Sequence, residues 1–270
     1  MGRPDYIEIF EDSMRLCRTD AQLKKSLAES LEKQYFLPES SPLILKAEPK
    51  DKPAEVTVSQ KRTFEAAEAY KDKKVCCLNF ASSKNPGGGV ERGATAQEEC
   101  LCRISTLFPC LSDSRIFEAF YQPHRTMFRD TLYNSDLIFT PGVTVFKSDT
   151  GAPIERPLEE WFSADVITCA APNLGAYTRL DDESLEKLHK ERGERIFLTA
   201  INEGAEVLIL GAFGCGAFRN PPKAVASAYK ALTEKYAPYF DIIEYAVYCS
   251  PRNTSNYDAF REVFRAAAKR

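Results

Sequence analysis

The sequence predicts an α/β protein with helices on both faces of a central sheet, and two observations carry this prediction. Apolar runs of strand length alternate with helical patterns from about residue 75 onwards, which is typical of a three-layer α/β/α architecture. The chain has 270 residues, of which 44% are hydrophobic, and this is enough for the core of one large domain. We therefore expect residues 1–270 to form a single domain.

The N-terminal part is predicted to be helical. Apolar residues recur with helical spacing around Ile7–Cys17 and Ala21–Tyr35, and a proline-rich connection follows. A short strand at Val56–Val58 and a helix at Gln60–Lys71 come next. We expect residues 1–58 to form a helical extension that packs on the same core.

The remaining elements are predicted from apolar runs and helical periodicity. The predicted strands are Val75–Phe80, Leu137–Thr140 and Val143–Phe146 around a Pro141-Gly142 turn, Val166–Ala170, Val207–Leu210 and Ile242–Cys249. The predicted helices are Thr95–Leu107, Glu183–Asn202, Pro222–Tyr236 and Tyr257–Ala268. Thr95 and Glu98 have the spacing of a capping box at the start of the first of these helices.

Composition argues against several classes of function. The net charge of −3 gives no electrostatic reason to expect a nucleic-acid partner recognised by sequence. No apolar run approaches the ~20 residues of a membrane span, and the first residues lack the apolar core of a signal peptide. With only two histidines, His124 and His189, and no cluster of ligand residues, we expect neither a metal site nor a cofactor.

The cysteines indicate a reducing compartment. The chain has nine of them, none in a C-x-x-C pair, and several lie in apolar runs that are predicted to be buried strands. Such cysteines are typical of reduced thiols in the cytosol. We therefore expect a cytoplasmic protein, or a nuclear one in a eukaryotic host.

The most informative motif is Asn85-Pro86-Gly87-Gly88-Gly89, followed after seven residues by Gln97-Glu98-Glu99. Consecutive glycines cost conformational entropy and contribute no packing, so their usual use is to let the backbone approach a ligand closely. Adjacent carboxylates beyond such a loop are what the cleavage of a glycosidic bond needs. The alternative is a tight surface turn followed by an acidic first helical turn.

A second glycine cluster, Gly211–Phe218, lies between the predicted strand Val207–Leu210 and the helix at Pro222. A strand, a glycine-rich loop and a helix start form an anion cradle, although a purely structural loop is the alternative. Because each cluster follows a strand, both are expected at the carboxyl edge of the sheet, where open α/β sheets bind ligands. Two such loops suit a ligand that has a pyrophosphate and, one ribose away, a glycosidic bond. ADP-ribose linked through its terminal ribose has this shape.

At these positions the chain resembles the bacterial-type poly(ADP-ribose) glycohydrolases of the macrodomain superfamily, whose signature is GGG, six to eight residues, and QEE. The matching segments are Asn79–Ala81, Asn85–Gly89, Gln97–Glu99, Ala170–Asn173 and Gly211–Phe218. The resemblance runs from about Lys61 to the C-terminus. It implies a macrodomain-like α/β/α fold with a mixed central sheet and an N-terminal helical extension.

The resemblance also implies a glycoside hydrolase. The expected reaction is hydrolysis of the ribose–ribose bond of poly(ADP-ribose), mainly from chain ends, with release of ADP-ribose. The partners would be ADP-ribose and poly(ADP-ribose) or ADP-ribosylated macromolecules. Two alternatives remain: a mono-ADP-ribosyl hydrolase that acts on modified protein or nucleic acid, and a non-catalytic ADP-ribose reader. The intact Gln97-Glu98-Glu99 argues against a pure reader.

The resemblance assigns unequal roles to the acidic pair. Glu99 would protonate the leaving group and then activate the attacking water. Glu98 would hold a ribose hydroxyl or the adjacent unit, and Gln97 would help to orient the pair. Adjacent helical residues point about 100° apart, which independently suits unequal roles. Two nearby carboxylates also raise the pKa of one of them, as a general acid near neutral pH requires.

The resemblance places the other residues of the two loops against the ligand. Those expected near the pyrophosphate and the distal ribose are Asn85, Gly87, Gly88 and Gly89. Those expected to wrap the pyrophosphate are Gly214, Cys215, Gly216 and Ala217. Phe218 would press on the terminal ribose.

Four nearby residues have a structural interpretation beside the functional one. Asn79 either caps the end of its strand or belongs to the site. We interpret Cys215 as a small residue that tolerates a phosphate, because no histidine stands beside it to activate a nucleophile. Tyr177 and Tyr257 would each either stack on a base or lie on the surface.

Overall fold

A seven-stranded mixed sheet lies at the centre of the protein, in a computed structural model that describes residues 1–126, 131–175 and 180–265. The strands are β1 Tyr35–Leu37, β2 Glu55–Ser59, β3 Val75–Phe80, β4 Leu137–Val145, β5 Phe162–Cys169, β6 Val207–Leu210 and β7 Ile242–Ala246. Their spatial order is β1-β4-β5-β3-β6-β7-β2. β4 is antiparallel to both β1 and β5, while the pairs from β5 to β2 are parallel.

The helices of the described residues precede, connect and follow these strands. They are α1 Arg3–Thr19, α2 Ala21–Lys33, α3 Thr63–Glu68, α4 Gln97–Ile104, α5 Leu107–Leu111, α6 Ser114–Ile116, α7 Gln122–Thr126, α8 Asp182–Asn202, α9 Pro222–Tyr236 and α10 Ser255–Arg265. Short 3-10 helices lie at Val90–Arg92, Leu158–Glu160 and Ala237–Tyr239, and a π-helix lies at Phe117–Tyr121. None of the helices within the described ranges is long and apolar enough to cross a membrane.

The two faces of the sheet are covered by different helices, as the alternation of side chains along a strand requires. In β3, Val75 and Cys77 pack in a core cluster with residues of α1, α3 and α4. Cys76 and Leu78, one residue out of phase, pack with residues of α8, α9 and α10. This arrangement confirms the expected three-layer α/β/α fold with a mixed sheet.

Three local predictions were wrong. Tyr35, expected in a helix, begins β1, because α2 ends at Lys33. Pro141 and Gly142 form no turn between two strands: they lie inside β4 as an irregularity in its pairing with β5, and Gly142 has a φ of 63°. The capping box at Thr95 is absent, since α4 begins at Gln97 and its cap residue, Ala96, offers no side-chain hydrogen bond.

The connection between α4 and β4 was not predicted at all. It contains α5, α6, the π-helix and α7, and the buried faces of the first three join the core cluster on the α4 side of the sheet. Each of these helices has five residues or fewer. Segments this short are below the length at which helical periodicity becomes a signal.

The N-terminal helix α1 packs against α4 and the glycine-rich connection before it. The Ser13 hydroxyl donates a hydrogen bond to the carbonyl oxygen of Arg103 at 2.7 Å. The ring of Phe10 meets the ring of Phe108 edge-on, with centroids 4.8 Å apart. The first helical turn also touches the connection, since a Cβ on Gly93 would lie 2.5 Å from the carbonyl oxygen of Arg3.

Candidate active site

The acidic pair and the second glycine cluster line one cavity at the carboxyl edge of the sheet. β3 and β6 are parallel neighbours, with Val75 beside Val207, so the loops that follow them leave the sheet side by side. The cavity has a volume of about 500 Å³. Its lining includes Gln97, Glu98, Glu99, Gly214, Gly216, Ala217 and Phe218. The structure thus brings the acidic pair and four of the predicted residues of the second glycine cluster together at one cavity, while their contacts with a ligand stay a prediction.

The three glycines of the first cluster give room to different neighbours, and Gly88 gives room to the acidic side chains. Gly88 has a φ of 59°, and a Cβ there would lie 2.5 Å from Glu99 Oε1 and 3.1 Å from Glu98 Oε2. Gly87 has a φ of 62°, and a Cβ there would lie 2.7 Å from the ring of Phe108. The N–H group of Gly89 donates to Glu99 Oε1 at 2.8 Å. These glycines are therefore needed by the packing of the protein itself.

Ligand contacts of this first loop stay a prediction. In the part of the chain that the structure describes, the residues that line the cavity include neither Asn85 nor the three glycines. Asn85 is exposed, and its Oδ1 accepts a hydrogen bond from Arg125 Nη2 at 3.0 Å. Arg125 also donates to the carbonyl oxygen of Lys84 at 2.6 Å, so it fixes the start of the loop from outside.

Glu98 is the more enclosed carboxylate of the pair, with 3% of its surface exposed. Its Oε2 accepts from the N–H group of Ser82 at 2.7 Å, and its Oε1 accepts from Asn79 Nδ2 at 3.4 Å. Burial raises the pKa of Glu98 to about 8, the Ser82 hydrogen bond opposes this rise, and the charge of Glu99 adds to it. The expected raised pKa is therefore found on Glu98, and burial contributes more to it than the neighbouring carboxylate.

Asn79 belongs to this site and does not cap its strand. Its side chain is fully buried and lies between Glu98 and Thr168, whose hydroxyl oxygen is 3.2 Å from Asn79 Nδ2. Asn79 has the same strand parity as Val75 and Cys77, so it points to the α4 side of the sheet. That parity is a signal in the sequence that would have favoured the functional interpretation, but the sequence analysis did not use it.

Glu99 has one oxygen bound and one free. Only 8% of the residue is exposed, and Oε1 is held by the N–H group of Gly89. Oε2 is buried and has no hydrogen-bond partner among the described residues. A buried carboxylate oxygen without a partner is costly, so it indicates a position that a ligand or water completes.

Gln97 ties the start of α4 to β3 with both ends of its amide. Its Oε1 accepts from the N–H group of Phe80 at 2.8 Å, while its Nε2 donates to the carbonyl oxygen of Leu78 at 2.8 Å and to the Thr63 hydroxyl at 3.0 Å. These bonds fix the direction in which the next two residues of α4 point. The amide is therefore suited to orienting the acidic pair.

The phosphate loop, which we define as residues 211–220, presents free backbone donors. Among the described residues, the N–H groups of Gly214, Gly216, Ala217 and Phe218 donate no hydrogen bond, and these four residues line the cavity. Gly214 has a φ of 78°, and a Cβ there would lie 2.7 Å from that of Ala171. A Cβ on Gly216 would meet nothing within 4 Å, and its φ is not positive. Only a ligand would therefore exclude a side chain at Gly216.

Cys215 has the environment of an inert thiol. Burial raises its pKa to about 12, and Sγ lies 3.8 Å from the carbonyl oxygen of Phe213. The thiolate that a nucleophile requires is therefore disfavoured. Cys215 is not among the residues that line the cavity of the described structure, so its contact with the ligand stays a prediction.

Sequence reasoning missed several other residues that line the cavity. Tyr248 is 56% exposed, and the guanidinium of Arg62 lies 4.0 Å from the centre of its ring. Both line the cavity, together with Thr63 and the buried carboxylate of Asp149. The available signal was that Tyr248 comes two residues after β7, at the same edge of the sheet as the two loops.

The other two tyrosines give no support for base stacking. Tyr257 is half-buried against the core on the α10 side, with the guanidinium of Arg261 5.4 Å from its ring centre. Tyr177 lies outside the described residues. Over the ranges that the structure describes, no group of three or more His, Cys, Asp or Glu side chains is arranged to hold a metal ion.

Comparison with known proteins finds a matching family model and similar crystal structures. The family model of the microbial-type PARG (poly(ADP-ribose) glycohydrolase) catalytic domain matches residues 7–148, which is more than half of the chain. The crystal structure of the glycohydrolase from Thermomonospora curvata is 28% identical, with a TM-score of 0.83 over 96% of this chain and 99% of that chain.

Two ligand complexes are similarly close. The T. curvata enzyme bound to the inhibitor ADP-HPD is 28% identical, with a TM-score of 0.81 over 95% of this chain and 98% of that chain. The Deinococcus radiodurans enzyme in complex with ADP-ribose is 29% identical, with a TM-score of 0.76 over 89% and 98%. No curated protein matches the chain. The family match and the shared fold together establish that this chain belongs to the microbial-type poly(ADP-ribose) glycohydrolase family.

Proposed function

We propose that this protein hydrolyses the ribose–ribose glycosidic bond of poly(ADP-ribose), mainly at chain ends, and releases ADP-ribose. The observation that carries the proposal is the unpartnered Glu99 Oε2, buried beside Glu98 in a cavity whose opposite wall presents free N–H groups. Membership of the glycohydrolase family supports the same reaction. So does the similarity to the D. radiodurans enzyme, which was crystallised with ADP-ribose.

In this proposal Glu99 acts on the scissile bond. Gly89 holds Oε1, so Oε2 is the atom that donates a proton to the leaving oxygen and later accepts one from water. Burial raises the pKa of Glu98 to about 8, so Glu98 is neutral at neutral pH and adds no negative charge beside Glu99. The proton that Glu99 gives to the leaving oxygen is replaced by the one that it takes from the attacking water. Once Glu99 has given up its proton, its carboxylate is negatively charged. This charge near the ribose stabilises the oxocarbenium-like transition state.

The phosphate loop is suited to the pyrophosphate. The free N–H groups of Gly214, Gly216, Ala217 and Phe218 face one cavity, and α9 begins shortly after the loop, at Pro222. Backbone donors and a helix N-terminus bind anions without a positively charged side chain. A net charge of −3 for the whole chain is therefore compatible with a polyanionic substrate.

Arg62 and Tyr248 are suited to bind the adenine ring of the ligand. Their stacked, partly exposed planes form a flat surface on the cavity rim. Aromatic rings and guanidinium groups both stack on purine bases.

The substitution Glu99→Gln tests the proposal. It retains the shape of the side chain and removes proton transfer, so turnover of poly(ADP-ribose) should fall by roughly 10²–10⁴-fold. ADP-ribose affinity, measured by titration calorimetry, should change little. Glu91→Gln is the matched control, because Glu91 is an exposed glutamate in the neighbouring 3-10 helix and does not line this cavity. Wild-type turnover in Glu99→Gln would contradict the assignment.

Comparing two substrates separates the alternative functions. A poly(ADP-ribose) glycohydrolase degrades the polymer faster than it removes a single ADP-ribose unit from a modified protein. A mono-ADP-ribosyl hydrolase gives the reverse order, and a reader binds ADP-ribose with no turnover of either substrate.

A further inference from the structure

One buried amide holds the inner side of the phosphate loop. Asn220 is 2% exposed, and its Nδ2 lies 2.7 Å from the carbonyl oxygen of Pro172, 3.0 Å from that of Gly214 and 3.3 Å from that of Phe218. Gly214 and Phe218 both belong to the part of the loop that lines the cavity, while Pro172 follows β5. The amide therefore ties both arms of the loop to the neighbouring segment.

These bonds also set the polarity of the loop. Carbonyl oxygens repel a pyrophosphate, and those of Gly214 and Phe218 are directed to a buried donor below the loop. The N–H group of Asn220 donates to the carbonyl oxygen of Gly214 as well, at 3.0 Å. The loop can present N–H groups to an anion because its acceptors are occupied on the other side.

His189 of α8 supplies the hydrogen-bond donor for the other end of the Asn220 amide. Its Nε2 lies 2.9 Å from Asn220 Oδ1, and the ring is fully buried. Burial lowers the pKa of His189 to about 4, so the ring is neutral at working pH and carries one N–H group. Since Oδ1 only accepts, that hydrogen lies on Nε2, and the NH₂ group of the amide is left for the three carbonyl oxygens.

His189 and Asn220 are not among the residues that line the cavity of the described structure. The ring of His189 packs instead against Phe213, with centroids 5.9 Å apart, and against Tyr229, at 6.4 Å. A direct contact with the ligand is therefore not the use of this pair. Its position below the loop suits an indirect effect on binding.

We propose that His189, acting through Asn220, is a positioning residue that keeps the phosphate loop in the shape that binds the pyrophosphate of ADP-ribose. The inference rests on the proposed function. Without the His189 donor, Asn220 Oδ1 is left buried with no hydrogen-bond partner, which is costly, so the amide and the loop that it holds shift to relieve this cost. The acidic pair belongs to α4 and is untouched, so the effect belongs to binding and not to the chemical step.

Three substitutions test the inference. His189→Phe keeps a planar ring but has no donor, and it should raise both the Kd for ADP-ribose and the KM by about tenfold, equal to about 1.4 kcal/mol, with little change in kcat. His189→Gln carries an amide N–H near the position of Nε2 and should restore both constants to near wild-type values. His189→Asn ends near the position of Nδ1, does not reach Asn220, and should behave like His189→Phe.

The measurements are ADP-ribose titration calorimetry, steady-state kinetics and thermal unfolding of each full-length variant. His189→Asn replaces His189→Phe if the latter does not fold. Lower thermal stability with an unchanged Kd would overturn the inference, because it shows a merely structural role. So would an equal loss of affinity in His189→Gln. If the wild-type protein does not bind ADP-ribose, the proposed function fails and this inference fails with it.

Discussion

At the residue scale, two adjacent glutamates acquire different properties from their immediate partners. Glu98 has a donor on each oxygen, whereas Glu99 has a donor on Oε1 only. The sequence predicted the pair and its unequal roles, since adjacent helical residues diverge by about 100°. It did not predict which carboxylate has the raised pKa, because this depends on burial and on the N–H group of Ser82 in another segment.

The raised pKa of Glu98 predicts a pH dependence of stability. In the unfolded chain the carboxyl has its model value of 4.5, and in the folded protein about 8. The folded state therefore binds more protons between these values, and the free energy of unfolding falls as pH rises, on the order of 1.4 kcal/mol per pH unit. The stabilisation is fully present below about pH 4.5 and is lost by about pH 8.

Urea unfolding at several pH values measures this effect in wild-type protein and in Glu98→Gln. The amide does not titrate, so the variant should gain stability relative to the wild type as pH rises from about 5 to about 8. Taking the difference between the two proteins removes the contributions of all other groups. A difference that stays constant over this range would show that Glu98 is ionised in the folded protein.

Gly88→Ala tests whether the glycine makes room for the catalytic carboxylates. The added Cβ would lie 2.5 Å from Glu99 Oε1, so it should displace Glu99 and lower kcat by at least about tenfold. Gly142→Ala is the matched control: its φ of 63° imposes the same backbone strain, but its nearest neighbour, Ser30 Oγ, is 3.8 Å away. Equal kcat losses in the two variants would mean that strain alone accounts for the effect.

At the element scale, the parallel strands were predictable and the irregularities were not. The apolar runs predicted β3 and β6 correctly, because a strand that is buried on both faces has a continuous hydrophobic sequence. Pro141-Gly142 has the local chemistry of a turn, and only the pairing of β4 with β5 makes it an irregularity inside one strand. The predicted start of α4 was wrong for a similar reason, because contacts with another element decide it. The side chain of Gln97 forms hydrogen bonds with β3 and not with its own helix.

The phosphate loop makes a prediction at this scale. Gly216→Val should weaken ADP-ribose binding by at least tenfold, on the order of 1.4 kcal/mol or more. The protein itself accommodates the side chain, since nothing lies within 4 Å of the added Cβ, so the variant should fold and only the ligand should be excluded. Titration calorimetry measures the affinity, and circular dichroism checks the fold.

Gly2→Val is a suitable control, because Gly2 has an extended backbone at the N-cap of α1 and does not line the cavity. It should bind ADP-ribose as the parent does. If a folded Gly216→Val protein also binds as tightly as the parent, the pyrophosphate lies elsewhere and the two loops do not form one ligand site.

At the scale of the whole molecule, helix α1 contacts the loop that contains Gly87, Gly88 and Gly89 through the hydrophobic core. Phe10 of α1 packs on Phe108, whose ring lies against Gly87. Sequence periodicity predicted that α1 and α2 are helices and that they pack on the domain. It did not predict that α1 lies against α4 and the loop before it, because that placement depends on contacts between residues about 90 positions apart.

These contacts predict that the N-terminal extension and the sheet unfold together. Phe10 is 6% exposed, so Phe10→Ala should cost about 3–5 kcal/mol through lost burial and the cavity left behind. Thermal unfolding, followed by both far-ultraviolet circular dichroism and tyrosine fluorescence, should still show one coincident transition at a lower temperature. Turnover should also fall at a temperature where the variant is folded, because Phe108 loses the ring that holds it against Gly87.

Met14→Ala, one helical turn along α1 and 8% exposed, should lose comparable stability with a smaller loss of turnover. Two separate transitions in Phe10→Ala, or unchanged turnover, would mean that the extension is an independent attachment to the catalytic domain.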